Sequence, residues 1–147
     1  MFKNIIVFDR RDAEKYSRER HINKSAVLSI KTRTDPSHPQ IQMNSFNGIE
    51  MVRFMEFNDC NTEREGGLTY DEAKQIVDFI ETVVSRNDIQ TFIVHCDAGE
   101  SRSAGVAAAV SKYYFNDDSK WFSEKEPNSR VYNLILEELV DRHGWNH

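Results

Sequence analysis

Apolar residues in this chain fall into short runs separated by polar stretches, and the spacing within each run predicts the elements. Asn4–Phe8 (NIIVF) and Ala26–Ile30 (AVLSI) are continuous apolar runs of strand length, the pattern of strands buried on both faces. Ile49–Phe57 alternates polar and apolar positions and predicts a third strand; the β-branched run Gln90–His95 predicts a fourth. Between them the period changes. Ala13 and Tyr16 mark one face of a polar helix over Asp12–Arg20. Thr69 and Glu72 form a capping box before the helical stripe Ile76, Val77, Ile80, Val83 and Val84. From Ser103 the segment SAGVAAAVSKYYF is helical in composition, with small residues that allow close packing on a sheet. A last helix is expected over Ser129–His143, with Val131, Leu134, Ile135, Leu139 and Val140 on one face and Gly144 as its stop. Thr32–Gly48, with Pro36 and Pro39, reads as loop; so does Asp117–Pro127, with Trp121 and Phe122 as its core anchor. Strands alternating with helices imply an α/β fold: a single three-layer domain over residues 1–147, its central, mostly parallel sheet flanked by helices.

Composition narrows the class. The 147 residues are 39% hydrophobic and 29% charged, an ordinary globular balance with no internal repeat. No apolar run approaches the roughly 18–20 residues of a membrane helix, and the short run before Arg10-Arg11-Asp12 does not resemble a secretory signal. The net charge of −5 argues against nucleic-acid and anionic-membrane partners, which reward a basic surface. Two cysteines, Cys60 and Cys96, make no disulfide framework, so a reducing cytoplasm is the expected setting.

The chemistry concentrates in Val94-His95-Cys96-Asp97-Ala98-Gly99-Glu100-Ser101-Arg102-Ser103. Cys96 ends an apolar strand, Arg102 opens a helix, and Gly99 sits where a tight turn is needed. A loop closing onto a helix N-terminus presents backbone N–H groups to one point, an anion site suited to phosphate. Arg102 adds a planar fork for two phosphate oxygens. The same positive surroundings favour the thiolate of Cys96 over the thiol, which makes it a nucleophile beneath a phosphate cradle.

The pattern His95-Cys96-x-x-Gly99-x-x-Arg102-Ser103 resembles the signature of the protein tyrosine phosphatase superfamily, and the ending Ser101-Arg102-Ser103 is closest to its compact dual-specificity branch. That resemblance spans roughly residues 49–115 and implies a phosphomonoester hydrolase, of phosphotyrosine first, that needs no metal or other cofactor. It implies that Cys96 attacks phosphorus and forms a phosphocysteine, while Arg102 and the amides of Asp97, Ala98, Gly99, Glu100, Ser101 and Arg102 bind the phosphoryl oxygens. Ser103 would support the sulfur as leaving group, and His95 would hold the loop. The expected partner is a phosphorylated protein or a small phosphomonoester. Asp97 and Glu100 in the loop disfavour polyanionic phosphoinositide headgroups. A phosphate-binding pseudophosphatase and a rhodanese-like sulfurtransferase are the alternatives.

Hydrolysis also needs a proton donor for the departing oxygen. Asp59, directly after the third strand and 37 residues before Cys96, has the right placement, with Asp35 as runner-up. Glu63, Glu65, Asp71, Asp78 and Asp88 read as solvated charges. Cys60 reads as a half-buried thiol, with a reversible Cys60–Cys96 disulfide as the alternative. His21, His38, His143 and His147 show no ligand spacing, so no metal site is expected.

Overall fold

The computed structural model describes residues 1–43 and 47–145; His147 and part of the 32–48 loop lie outside the described residues. Four strands form one sheet: β1 (Asn4–Phe8), β2 (Ser25–Lys31), β3 (Ile49–Glu56) and β4 (Thr91–His95), in the order β1-β4-β2-β3 with every pairing parallel. Each of the four differs by no more than a residue at either end from its expected range. β4 is central, flanked by β1 and β2, and its Phe92, Ile93 and Val94 are fully enclosed. Truncating a side chain like Phe92 to Ala in such a place costs about 3–5 kcal/mol.

Helix α1 (Arg10–Arg18) packs on one face of the sheet, where Val27, Ile49 and Ile93 meet Phe8 and Tyr16. The larger core lies on the other face, under α2 (Tyr70–Ser85), α3 (Arg102–Phe115), α4 (Ser119–Glu124) and α5 (Ser129–His143). This is the three-layer α/β arrangement expected. α2 starts at the anticipated capping box, with Thr69 Oγ1 accepting from the Glu72 amide and Glu72 returning to the Thr69 amide. α3 is enclosed nearly all round, and its small residues admit α5 closely: a Cβ at Gly105 would stand 2.9 Å from the Asn128 carbonyl oxygen.

Two expectations need correction. The 117–127 stretch is not all loop, because α4 forms within it. Trp121 does anchor it, buried with Nε1 donating to Ser111 Oγ at 2.8 Å, but Phe122 is half exposed and lies edge-on to Tyr132 rather than in the core. α1 also begins two residues earlier than expected, because Asp9 caps it by accepting from the Asp12 amide.

Candidate active site

The loop from His95 to Ser103 leaves the C-terminal end of the central strand and enters α3, where open parallel sheets assemble their sites. Strand register determines its root. Pairing Ser29 with His95 puts Ser29 Oγ 2.6 Å from His95 Nε2, both buried. Burial pushes His95 down to about 4, against the raising pull of the Cys96 backbone, so the ring is neutral at ordinary pH.

The floor of the loop rests on the turn between β1 and α1. Gly99 adopts φ +69, and a Cβ there would lie 2.7 Å from the Asp9 nitrogen and 2.9 Å from the Phe8 carbonyl carbon. The Arg10 amide donates to the Asp97 carbonyl at 3.0 Å. On the opposite side, the amides of Glu126 and Asn128 donate to the carbonyls of Glu100 and Ser101. The loop is therefore gripped by backbone from both ends of the chain. Gly99 is buried in it, whereas Ala98 and Glu100 are exposed, the Glu100 carboxylate lying 3.3 Å from Lys125 Nζ.

Cys96 is buried, with Sγ 3.0 Å from Ser103 Oγ in the first turn of α3. Ser101 holds the N-cap position of that helix, yet its side chain makes no capping bond. The first-turn amides, which have no partner within a helix, thus face the loop without a side-chain cap.

Arg102 is almost fully buried and its donors can be counted. Nη1 spends both hydrogens, on the Phe57 carbonyl at 2.8 Å and on Thr32 Oγ1 at 3.0 Å. Nη2 donates once, to Asp97 Oδ2 at 3.3 Å. Nε is buried and finds no acceptor among the described residues. One Nη2 hydrogen and the Nε hydrogen remain, the adjacent pair that can grip two oxygens of one tetrahedral anion.

Asp59 lies on a loop that folds back on itself between β3 and α2. Asn58 donates from its side chain to the Glu65 carbonyl and from its backbone amide to the Gly66 carbonyl, and Arg33 crosses the base with Nε on the Gly66 carbonyl and Nη2 on Glu72. From that frame Asp59 Oδ1 accepts from Ser101 Oγ at 2.7 Å and from Asn128 Nδ2 at 2.8 Å. The carboxylate is thereby joined to the phosphate loop.

Asp35 is not joined to it in this way. Its oxygens take hydrogen bonds from Ser37 and His38, which lower it to about 2. His38, though, is less isolated than its sequence position implies, since donor atoms of Asp35, His38 and Asp97 lie within 4.8 Å of one another. His21 stacks on Tyr16, and His143 meets Glu81. Glu63, Glu65 and Asp71 are exposed; Asp78 and Asp88 pair with Arg142 and Arg86. Cys60 is a free thiol pointing at the Thr62 carbonyl, and Cys96 is likewise free. Four contributors were not expected from sequence: Ser29, Thr32, Arg33 and Asn128. Only Asn128 had a local signal, as the residue before a helix start, and that signal concerns capping α5 rather than reaching Asp59.

Comparison with known proteins agrees with this architecture. The family model for the Rit1 DUSP-like domain matches residues 65–136, a little under half of the chain. No curated protein sequence matches. Among solved structures, human DUSP28 superposes with a TM-score of 0.60 at 17% identity, covering 94% of each chain. PTPMT1 in complex with PI(5)P gives 0.57 at 16% identity, covering 95% of this chain and 94% of its own. The human tyrosine phosphatase-like serine/threonine/tyrosine-interacting protein gives 0.56 at 16%, covering 82% of this chain and 79% of its own. At these identities the likeness is one of fold: the chain shares with these structures a single α/β domain, here a parallel four-stranded sheet flanked by helices.

Proposed function

We propose that the chain is a cysteine-dependent phosphatase that hydrolyses a phosphomonoester, phosphotyrosine in a protein first, in the cytoplasm and without a metal. The observation that carries this reading is the pairing of a buried Cys96, 3.0 Å from Ser103 Oγ, with an Arg102 fork that has two adjacent donors to spare.

The Cys96 thiolate attacks phosphorus, a P–S bond forms, and the P–O ester bond breaks. Asp59 gives its proton to the departing oxygen, while Arg102 and the loop amides of residues 97–102 hold the equatorial oxygens. Water then attacks the phosphocysteine, with the Asp59 carboxylate taking its proton. The P–S bond breaks, and the Ser103 hydroxyl supports the leaving sulfur. Asp97 and Glu100 weigh against a polyanionic headgroup, whatever the ligand of PTPMT1, and the net charge of −5 weighs against RNA.

An aryl phosphate assay of wild type beside Cys96→Ser tests the reading. Vanadate-sensitive release of phosphate by the wild type, abolished in the variant, is expected. Turnover that survives the substitution overturns the covalent mechanism; binding of the aryl phosphate without release makes the chain a phosphate-binding module instead.

A further inference from the structure

The Asp97 side chain has no part in the scheme above, where only its backbone amide is used, yet it is placed on the guanidinium that binds phosphate. Its Oδ2 accepts from Arg102 Nη2 at 3.3 Å and from Thr32 Oγ1 at 3.2 Å, and Thr32 Oγ1 in turn accepts from Arg102 Nη1 at 3.0 Å. Nη1, Oγ1, Oδ2 and Nη2 thus close a ring across the end of the guanidinium. An anion on the end leaves the Nε–Nη2 side edge, with its two unspent donors, turned to the cradle. The pair is not a loose surface contact: the arginine side chain is 6% exposed and the aspartate 27%. The other oxygen, Oδ1, is buried without a donor partner among the described residues, so the hydrogen bonds that the carboxylate accepts come from Arg102 and Thr32 through Oδ2. Asp35, itself hydrogen-bonded to His38, brings a second carboxylate oxygen within 4.8 Å of one of Asp97.

From this ring we infer that Asp97, braced by Thr32, is a positioning residue for Arg102 and at the same time offsets its charge, so that the cradle grips a phosphate dianion in one orientation but only moderately tightly. The inference rests on the proposed phosphate site. Two consequences follow from elementary electrostatics. A fixed carboxylate beside the guanidinium lowers the affinity for any tetrahedral dianion, product phosphate included, and so speeds its release. The same charge disfavours a substrate with a second phosphate beside the first and tolerates one flanked by cationic side chains.

Charge and orientation can be separated by substitution. Asp97→Asn keeps the shape and an acceptor for Thr32 and Arg102 but drops the charge. Thr32→Val keeps the shape and the charge but removes the brace. Calorimetric titration of the whole chain with sodium tungstate, a tetrahedral dianion, reads both at a fixed pH of about 7, with inorganic phosphate inhibition of aryl phosphate hydrolysis as a second readout. Asp97→Asn should bind tungstate about tenfold tighter, the effect of removing one close like charge, and be inhibited by phosphate in the same proportion. Thr32→Val should bind tungstate more weakly and lose kcat. Opposite shifts at one network cannot come from a general loosening of the fold, which would weaken both. Should Asp97→Asn fail to fold, as judged by thermal melting, Asp97→Ser takes its place with the same expectation. Unchanged or weaker tungstate binding in the charge-removed variant, beside a wild type that binds, overturns the inference alone. A wild type that binds no tungstate overturns the phosphate site and the inference with it.

Discussion

Ser101 opens the helix of the phosphate loop, and its hydroxyl donates at 2.7 Å to Asp59, 42 residues earlier in the chain. A second donor, Asn128 Nδ2 at 2.8 Å, holds the same oxygen from the start of α5. Both hydrogen bonds converge on Oδ1, which leaves Oδ2 as the oxygen able to carry a proton to a leaving group. In the proposed mechanism, the acid is thus one that Ser101 and Asn128 hold beside the loop.

Asp59→Ala should therefore lose about 10²–10⁴-fold on phosphotyrosine, the usual worth of general acid catalysis. Tyrosine leaves with a pKa near 10 and depends on that proton, so an activated aryl phosphate should suffer much less. Rates across aryl phosphates of graded leaving-group pKa check this. A steeper dependence in the variant than in wild type is expected; parallel lines would remove Asp59 from the acid role.

Arg102→Lys keeps the charge but should still lose at least about 10²-fold in kcat. A lysine cannot occupy the Phe57 carbonyl and Thr32 and also grip two oxygens side by side. Steady-state kinetics decide it, and a near-normal kcat would show that the fork does not act in the transition state.

Gly99→Ala tests the floor of the cradle. Its φ of +69 strains any other L residue, and the added Cβ meets Phe8 and Asp9 backbone rather than a flexible side chain. The loop must then lift off the β1–α1 turn. Loss of most activity together with a stability loss of about 1–3 kcal/mol by denaturant unfolding is expected; an active, equally stable variant would mean the loop does not lean on that turn.

His95 makes stability depend on pH in a stated direction. Its folded value of about 4 lies below the unfolded value near 6.5, because burial disfavours the charged ring. The unfolded chain therefore binds the proton first on acidification. The contribution is whole above about pH 6.5 and drains away as pH falls toward 4, on the order of 2 kcal/mol between pH 7 and pH 5. Denaturant unfolding at the two pH values should show that loss in wild type and a smaller one in His95→Asn. Equal losses in both would assign the acid sensitivity to other groups.

What could be read in advance follows from how local each feature is. The four strands were legible because their apolar runs are buried on two faces and bounded by polar turns. α4 was not, since six residues carrying four polar side chains show no period, and the helix exists because Trp121 reaches Ser111 from it. Within the site, Cys96 to Ser103 is one contiguous segment and could be seen whole. Asp59 was reachable by a rule about strand ends. Ser29 arrives beside His95 through strand register, Thr32 beside Arg102 from the end of the neighbouring strand β2, and Asn128 through the packing of α5 on α3; none of these has a signature in its own neighbourhood that points to the site. The side chain of Asp97 was in plain view, but its direction depends on Thr32, 65 residues away.

The absent side chain at Gly105 bears on chemistry it never touches. Because nothing projects from α3 at that point, the carbonyl of Asn128 can lie where a methyl group would otherwise stand, and the Asn128 side chain is brought within reach of Asp59. A single methyl there would act as a spacer between two helices and draw the Asn128 amide away from the Asp59 carboxylate it holds. Under the proposed mechanism, catalysis can thus be tuned from a helix–helix seam, by changes that alter none of Cys96, Arg102 and Asp59.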